Sequence, residues 1–275
     1  MTNVPQEGFF FDGEGSKHDY YLDGKKMTGV TTILGVLAKP ALIPWAARMA
    51  VEYIEENTTA FVDKLVVKNG KTLAELFTEA KGAHARKRDE GGAKGTSTHA
   101  LVEEWIKFLI GTNDGKQPDH VQGDKKWEAI TPFMEWARKE NIKFLATEKQ
   151  MYSKSLFVAG TADFIFEKDG KRYIGDLKTY KKIWDRVPFY QCAGYAYMWE
   201  EMNRVLVSGW PNAVEYKVEN PIHGYCIVNL PKERSFKEDE DVLWSFDVAG
   251  DTKAFLACVE IYRQNANFTT NKKKK

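Results

Sequence analysis

Asp163, Asp176 and Lys178 lie within one stretch, GTADFIFEKDGKRYIGDLKTY from Gly160 to Tyr180, and are of the types that hydrolysis of a phosphodiester requires. Two carboxylates at one spot repel unless something positive lies between them, and Mg²⁺ takes one or two carboxylates while keeping several waters. An ammonium beside them can orient a water, help deprotonate it, or balance charge on a pentavalent phosphate. To act together, the three must be brought to one place. Phe164, Ile165 and Phe166 form a short apolar run, Asp169-Gly170 is a two-residue turn signal, and Tyr173-Ile174 leads into Gly175-Asp176, so a β-hairpin is expected. Strands rise about 3.3 Å per residue, so folding back at the turn brings Asp163 level with Asp176. Lys178 leaves Asp176 on the same face because strand side chains alternate. The plainer alternative is an ordinary water-facing hairpin in which Asp176 pairs with Lys178, since a D-x-K triplet alone is a weak signal.

The elements around this stretch follow from periodicity. His18 to Leu22, Asp23-Gly24 and Lys25 to Met27 read as an N-terminal hairpin, and Thr31 or Thr32 can cap a short helix through Leu37 that Pro40 ends. Helical spacing runs from Ala41 to Glu56, with Pro44 tolerated in the first turn, and again from Thr72 towards Arg88. Arg86, Lys87 and Arg88 close that second helix, and Gly91-Gly92 and Gly95 are expected to loosen the chain after it. Such a run is either a solvated helix end or an arm that contacts phosphates. Thr96 or Ser97 then caps a helix carrying His99 and Glu103 on one face, where Glu103 could orient the imidazole towards a cation; a lone histidine there is otherwise a capping or surface residue. A fourth helix is expected from Asp124 to Glu140, followed by a strand from Lys143 to Tyr152 containing Glu148.

Beyond Lys178 a loop carries Lys181, Lys182 and Arg186, and Pro188 opens a helix with Gln191 and Tyr195 on one face. Tyr195 either serves the site or packs among the neighbouring aromatic residues. Asn203 to Pro221 reads as an irregular insertion, Tyr225 to Leu230 as a strand, Glu238 to Asp241 as an acidic connection, and Asp251 to Arg263 as a helix.

Composition removes several classes. At 275 residues and 43% hydrophobic, the chain can bury a sizeable core as one large domain or a core with a helical insertion. No apolar run approaches the ~20 residues of a membrane span. Met1 to Gln6 lacks the basic and apolar regions of a secretory signal, so a cytoplasmic location is expected, that of the bacterial host if the chain is phage-encoded. Cys192, Cys226 and Cys258 are far apart with no C-x-x-C, which argues against an iron-sulfur cluster, a zinc cluster or a disulfide framework. Gly70-Lys71-Thr72 imitates the end of a nucleotide-binding loop, but Leu65 stands where a glycine is needed, so no nucleotide cofactor is expected. A net charge of +1 places any case for nucleic acid on local patches.

The order of these parts resembles the RecB-like branch of the PD-(D/E)XK nuclease superfamily, in an arrangement similar to phage recombination exonucleases and mitochondrial genome maintenance exonucleases. The match spans His99 to Tyr195: the helix histidine His99, the strand acid Glu148, Gly160 and Asp163 as G-x-x-D, Asp176 and Lys178 as D-x-K, and Gln191 and Tyr195 as Q-x-x-x-Y. Ala162 stands before Asp163 where proline is common elsewhere in the superfamily, and the four cysteines of the iron-sulfur members are missing. The resemblance implies an α/β fold with a restriction-endonuclease-like core, a central mixed sheet flanked by helices in the order α-β-β-β-α-β. Residues 1–95 would form an N-terminal hairpin and helical region packed on a nuclease core at 96–268, with 269–275 a disordered basic tail. It further implies a Mg²⁺ or Mn²⁺ site held by His99, Asp163, Asp176 and the Leu177 carbonyl with Glu148 nearby, Lys178 positioning the water, and Gln191 and Tyr195 holding the DNA backbone or the site itself. Arg86, Lys87, Arg88, Lys181 and Lys182 are the expected phosphate contacts. The function so implied is a DNA exonuclease leaving 5′-phosphates in phage recombination or DNA processing, with single-stranded or duplex DNA ends and a phage recombination or single-strand-binding protein as partners. The alternatives are a structure-specific endonuclease and a catalytically idle nucleic-acid-binding subunit.

Overall fold

The computed structural model describes residues 5–13, 18–37, 42–61, 64–112, 125–210 and 213–272. In chain order the elements are β1 (Phe9–Asp12), β2 (Asp19–Leu22), β3 (Lys25–Lys26), β4 (Thr28–Gly29), α1 (Val30–Leu34), α2 (Leu42–Glu56), β5 (Thr58–Phe61), β6 (Lys64–Val67) and α3 (Leu73–Leu109). There follow α4 (Lys125–Glu128), α5 (Thr131–Lys139), β7 (Lys143–Ser153), β8 (Val158–Lys168), β9 (Lys171–Lys178), α6 (Val187–Met202), β10 (Arg204–Trp210) and β11 (Ala213–Val218). The chain closes with β12 (Ile222–Asn229), α7 (Glu238–Asp241), β13 (Val242–Ser245) and α8 (Val248–Lys272). It divides into two compact units, Met1–Val36 with Thr98–Lys275, and Leu37–Ser97. The first 36 residues therefore share a unit with the sheet, where the sequence reading had grouped them with the helical region.

The larger unit is mixed α/β. Its six-stranded sheet runs β13-β12-β9-β8-β4, with β7 also paired to β8. β7, β8 and β9 are antiparallel neighbours, β12 returns parallel to β9 after α6, and β13 pairs antiparallel with β12. The β8–β9 hairpin closes at Asp169-Gly170, whose φ values of 52° and 71° are those of a two-residue turn that matches strand twist. Helices cover both faces. Phe164, Phe166, Tyr173 and Leu177 point into an aromatic-rich core with Val102, Trp105 and Ile106 of α3 and with Phe133 and Trp136 of α5. The alternate residues, Asp163, Asp176 and Lys178, belong to the opposite face, on which α6 packs. β9 is central and buried on both faces from Tyr173 to Leu177, and at the site end Lys178 is partly open.

Several expectations change. Thr131-Pro132 splits the helix expected over Asp124 to Glu140 into α4 and α5, because a proline inside a helix lacks an N–H and clashes with the carbonyl four residues back, whereas it fits a first turn. Gly91, Gly92 and Gly95 do not interrupt α3, which runs unbroken for 37 residues. Each glycine costs about 1 kcal/mol against alanine, which weakens a helix without removing its hydrogen bonds. Thr72 and Glu75 cap its start reciprocally: the Thr72 amide donates to Glu75 Oε2 at 2.8 Å, and the Glu75 amide donates to Thr72 Oγ1 at 3.3 Å. The segment expected to be irregular from Asn203 to Pro221 contains an antiparallel pair, β10 with β11, the β-branched Val205 and Val218 suiting a pleated surface. The N-terminal hairpin gains a third strand, β1. The tail expected to be disordered from 269 is helical to Lys272, and residues 273–275 lie outside the described ones, as does Pro40.

In the smaller unit, the Lys71 Nζ sits 2.6 Å from Glu79 Oε2 and the Tyr53 hydroxyl also donates to Glu79. The Arg86 guanidinium lies 4.8 Å from the Tyr53 ring centroid and donates to the Glu79 carbonyl at 2.8 Å. Arg86 is thus engaged within its own unit, while Lys87 is exposed and the Arg88 side chain lies outside the described ones.

Candidate active site

The pairing of Phe164 with Gly175 extends by one residue to set Asp163 opposite Asp176 at the open end of the hairpin. Asp163 Oδ2 accepts the Leu177 amide at 2.7 Å, so the backbone of one strand fixes the carboxylate of the other. On the far side of β8, the pairs Thr147 with Phe164 and Lys149 with Ala162 bracket Glu148, which stands beside Asp163. The Thr147 hydroxyl donates to the Asp163 carbonyl at 2.9 Å. Glu148 has φ of 46°, a left-handed backbone inside a strand, which re-aims its side chain. Three adjacent strands therefore each contribute one acid.

Asp176 is completely buried, and among the described residues its oxygens have no close partner besides Lys178. Lys178 Nζ approaches Oδ2 to 2.5 Å as an ion pair. Burial, countered by Lys178 and reinforced by Asp163, pushes the Asp176 carboxyl up to about 6. Asp163 is raised for the same first reason, desolvation, with Lys178 opposing. Burial acts against the Lys178 ammonium, but Asp176 and Asp163 outweigh it and hold the charge above the ordinary lysine range. Glu148 is pushed up to about 8 by burial, then by the charges of Asp163 and Glu103, with Lys107 opposing.

His99 enters from α3. Its Nδ1 lies 3.6 Å from Asp163 Oδ2, beyond a hydrogen bond, and burial lowers the imidazole to about 4, so it is neutral with a nitrogen lone pair at neutral pH. Glu103 does not orient it as expected; its carboxylate pairs with Lys107 at 2.5 Å. His99, Glu103 and Lys107 follow one another at i, i+4 and i+8 along one stripe of α3, and the field of the last two reaches Glu148. Lys107 escaped the sequence reading, although that spacing was its signal.

From α6, Gln191 Oε1 accepts from Lys178 Nζ at 3.3 Å, and Gln191 Nε2 donates to Tyr195 Oη at 2.8 Å. Tyr195 is 3% exposed, and a Cβ on Gly160 would come within 2.6 Å of its ring. Gly160 is thus the residue that admits Tyr195 against β8. Of the two roles expected for the Q-x-x-x-Y pair, this geometry supports holding the site; the buried Tyr195 does not present a surface to DNA. Lys181 and Lys182 are exposed in the loop after β9.

The donor set suits a hard cation. Two carboxylates, one of them fully buried with only Lys178 beside it, a peptide carbonyl at Leu177 and the neutral His99 match the oxygen-rich, partly hydrated coordination of Mg²⁺ or Mn²⁺. Among the described residues no group of three or more His, Cys, Asp or Glu side chains is drawn to metal-binding distance, and Mg²⁺ needs no more than two carboxylates. The three cysteines are buried and free.

Fold and site together define a mixed α/β chain with three acids, a lysine and a histidine gathered at the end of a β-hairpin. No family model matches the chain, and no curated protein matches it. Among the described residues no helix is long and apolar enough to cross a membrane.

Proposed function

We propose that the chain is a divalent-metal-dependent DNA exonuclease of restriction-endonuclease-like fold, hydrolysing phosphodiester bonds from DNA ends to leave 5′-phosphates in phage recombination or DNA processing. The observation that carries this reading is Asp176: a fully buried carboxylate facing Asp163 whose one close donor among the described residues is the Lys178 ammonium, which the two acids share. Two buried carboxylates sharing one ammonium are only partly compensated, and a bound cation would offset the remainder. Asp163, Asp176, the Leu177 carbonyl and His99 would hold it, with Glu148 close by. The chemistry such a cation supplies is Lewis-acid polarisation of a phosphoryl oxygen and a lowered pKa for water.

The chain's own groups then have separable tasks. Lys178 stays protonated, is held between Asp176 and Gln191, and brings its charge to the phosphate and to the attacking water. Asp163 is kept in orientation by the Leu177 amide. Glu148 exchanges a proton near pH 8 and is the group placed to take one from the water or give one to the leaving 3′ oxygen. Gln191 and Tyr195 are positioning residues that act through Lys178.

The test is incubation with Mg²⁺ or Mn²⁺ and matched linear and closed-circular DNA, single-stranded and duplex. Linear forms should shorten from their ends and closed circles should survive. Circles cut as fast as linear DNA would replace the exonuclease with an endonuclease, and DNA bound but left whole would indicate an idle binding subunit.

A further inference from the structure

The loop between β9 and α6, residues 179–186, leaves directly from Lys178 and is tied down at both ends. The Tyr180 amide donates to Asn229 Oδ1 at 2.9 Å, and the Lys181 carbonyl accepts from Arg234 Nε at 3.0 Å. At the other end Arg186 Nη2 donates to Asp251 Oδ1 at 2.7 Å and to Ser245 Oγ at 3.1 Å. A backbone held this firmly could have turned its large side chains inward. Instead Trp184 is 79% exposed and Tyr180 52% exposed, with Lys181 and Lys182 exposed between them. The Lys182 ammonium lies 5.0 Å from the Trp184 ring centroid, so aromatic face and positive charge are presented together.

We propose that this loop is a binding site for single-stranded DNA, in which a base stacks on Trp184 while Lys181 and Lys182 take the flanking phosphates. The ligand class rests on the nuclease reading above; the strandedness comes from the loop. Aromatic side chains interleaved with lysines are the pairing that single strands use, because every base has a π-face and every nucleotide a charge. In duplex DNA those faces are already stacked on one another and a lone surface indole has none to meet. Trp184 lies six residues beyond Lys178, a span of at most about 22 Å of extended chain. Even at the duplex spacing of about 3.4 Å per nucleotide, no more than about six nucleotides are needed to bridge that distance, and fewer in an extended single strand. The loop would therefore hold an unpaired strand close to the reacting carboxylates and favour ends that are single-stranded or frayed.

The experiment uses full-length Asp176→Asn protein, so that binding is read apart from hydrolysis, with labelled single-stranded and blunt duplex oligonucleotides of one sequence. Adding Trp184→Ala should raise Kd for the single strand by about 10-fold and leave the duplex within about twofold, and Trp184→Phe should restore most of the loss. Replacing Lys181 and Lys182 by alanine should flatten the salt dependence of single-strand binding by about 0.7 per lost contact. An unchanged single-strand Kd in Trp184→Ala, or an equal loss on both substrates, overturns the proposal. Cleavage of DNA by the unsubstituted chain alongside an indifferent Trp184 would remove the loop site alone. Trp184-dependent single-strand binding without any cleavage would remove the exonuclease and keep the loop. Binding of neither substrate would remove both.

Discussion

Asp176 at the end of β9 and Asp241 at the end of α7 are both completely buried carboxylates in the same unit, and they are treated in opposite ways. Asp241 receives Arg234 through both oxygens at 2.7 and 2.6 Å, Asn229 Nδ2 at 2.8 Å and the Lys237 amide at 2.9 Å. Burial alone would raise its pKa, but those donors, Arg234 first, pull it below the usual carboxylate range. Asp176 has one ammonium beside it, no further donor among the described residues, and a raised pKa. Saturation with donors is what stability asks of a buried charge. A carboxylate left short of donors is stabilising only when something from outside completes it, and the contrast sets Asp176, in the proposed site, against Asp241, a brace.

The largest effect should separate the two by rate. Asp176→Asn should lower single-turnover cleavage by about 10³-fold or more, since cation-dependent chemistry loses a ligand, while the melting temperature changes little because a poorly compensated charge has been removed. Asp241→Asn should do the reverse: a stability loss of about 3 kcal/mol with the rate per folded molecule intact. Matched melts and single-turnover assays on both variants check the pair. Wild-type rates in Asp176→Asn would break the contrast.

A smaller effect sharpens the same contrast through pH. Glu148 has a folded pKa of about 8 against an ordinary value of 4.5, so the folded chain binds its proton more tightly than the unfolded chain does. Its contribution is most favourable below about pH 4.5 and is lost progressively as pH rises to about 8. Without divalent cation, the Glu148→Gln protein should therefore show a flatter fall in melting temperature between pH 5 and 8 than the parent. Parallel slopes would mean that Glu148 does not titrate in the folded cluster. The smallest expected change is Tyr195→Phe, which deletes only the hydroxyl that accepts from Gln191 Nε2. A drop of about 10-fold in rate, with cation affinity unchanged by titration, would place Tyr195 behind Lys178, as general positioning effects of this size do.

How far the site could be read from the sequence differs residue by residue. Asp163, Asp176 and Lys178 were legible because a two-residue Asp-Gly turn sets the register and strand alternation sets the face; both are local rules. His99 and the Gln191–Tyr195 pair were legible through helical spacing, but their partners were not. Nothing along the chain says that Gln191 reaches Lys178, that Glu103 takes Lys107 in place of His99, or that Arg234 saturates Asp241, since each is decided by which elements pack together. The fold shows the same division. The hairpins with Asp-Gly turns and the α2 periodicity were plain in the sequence. The unbroken α3, the β10–β11 pair and the edge strand β13 depend on tertiary support that overrides glycine cost and weak local pattern.

Glu148 combines a carboxylate with a left-handed backbone, and those two properties favour different amino acids. At φ of 46° the residues at ease are glycine, asparagine and aspartate; β-branched side chains are excluded. In a randomised library at this position, selection for folding alone should enrich Gly, Asn and Asp, whereas selection for DNA degradation should return Glu. The winners of the two screens would differ at one codon, and that divergence would reveal how much conformational strain the chain tolerates there to keep an acid pointing at Asp163.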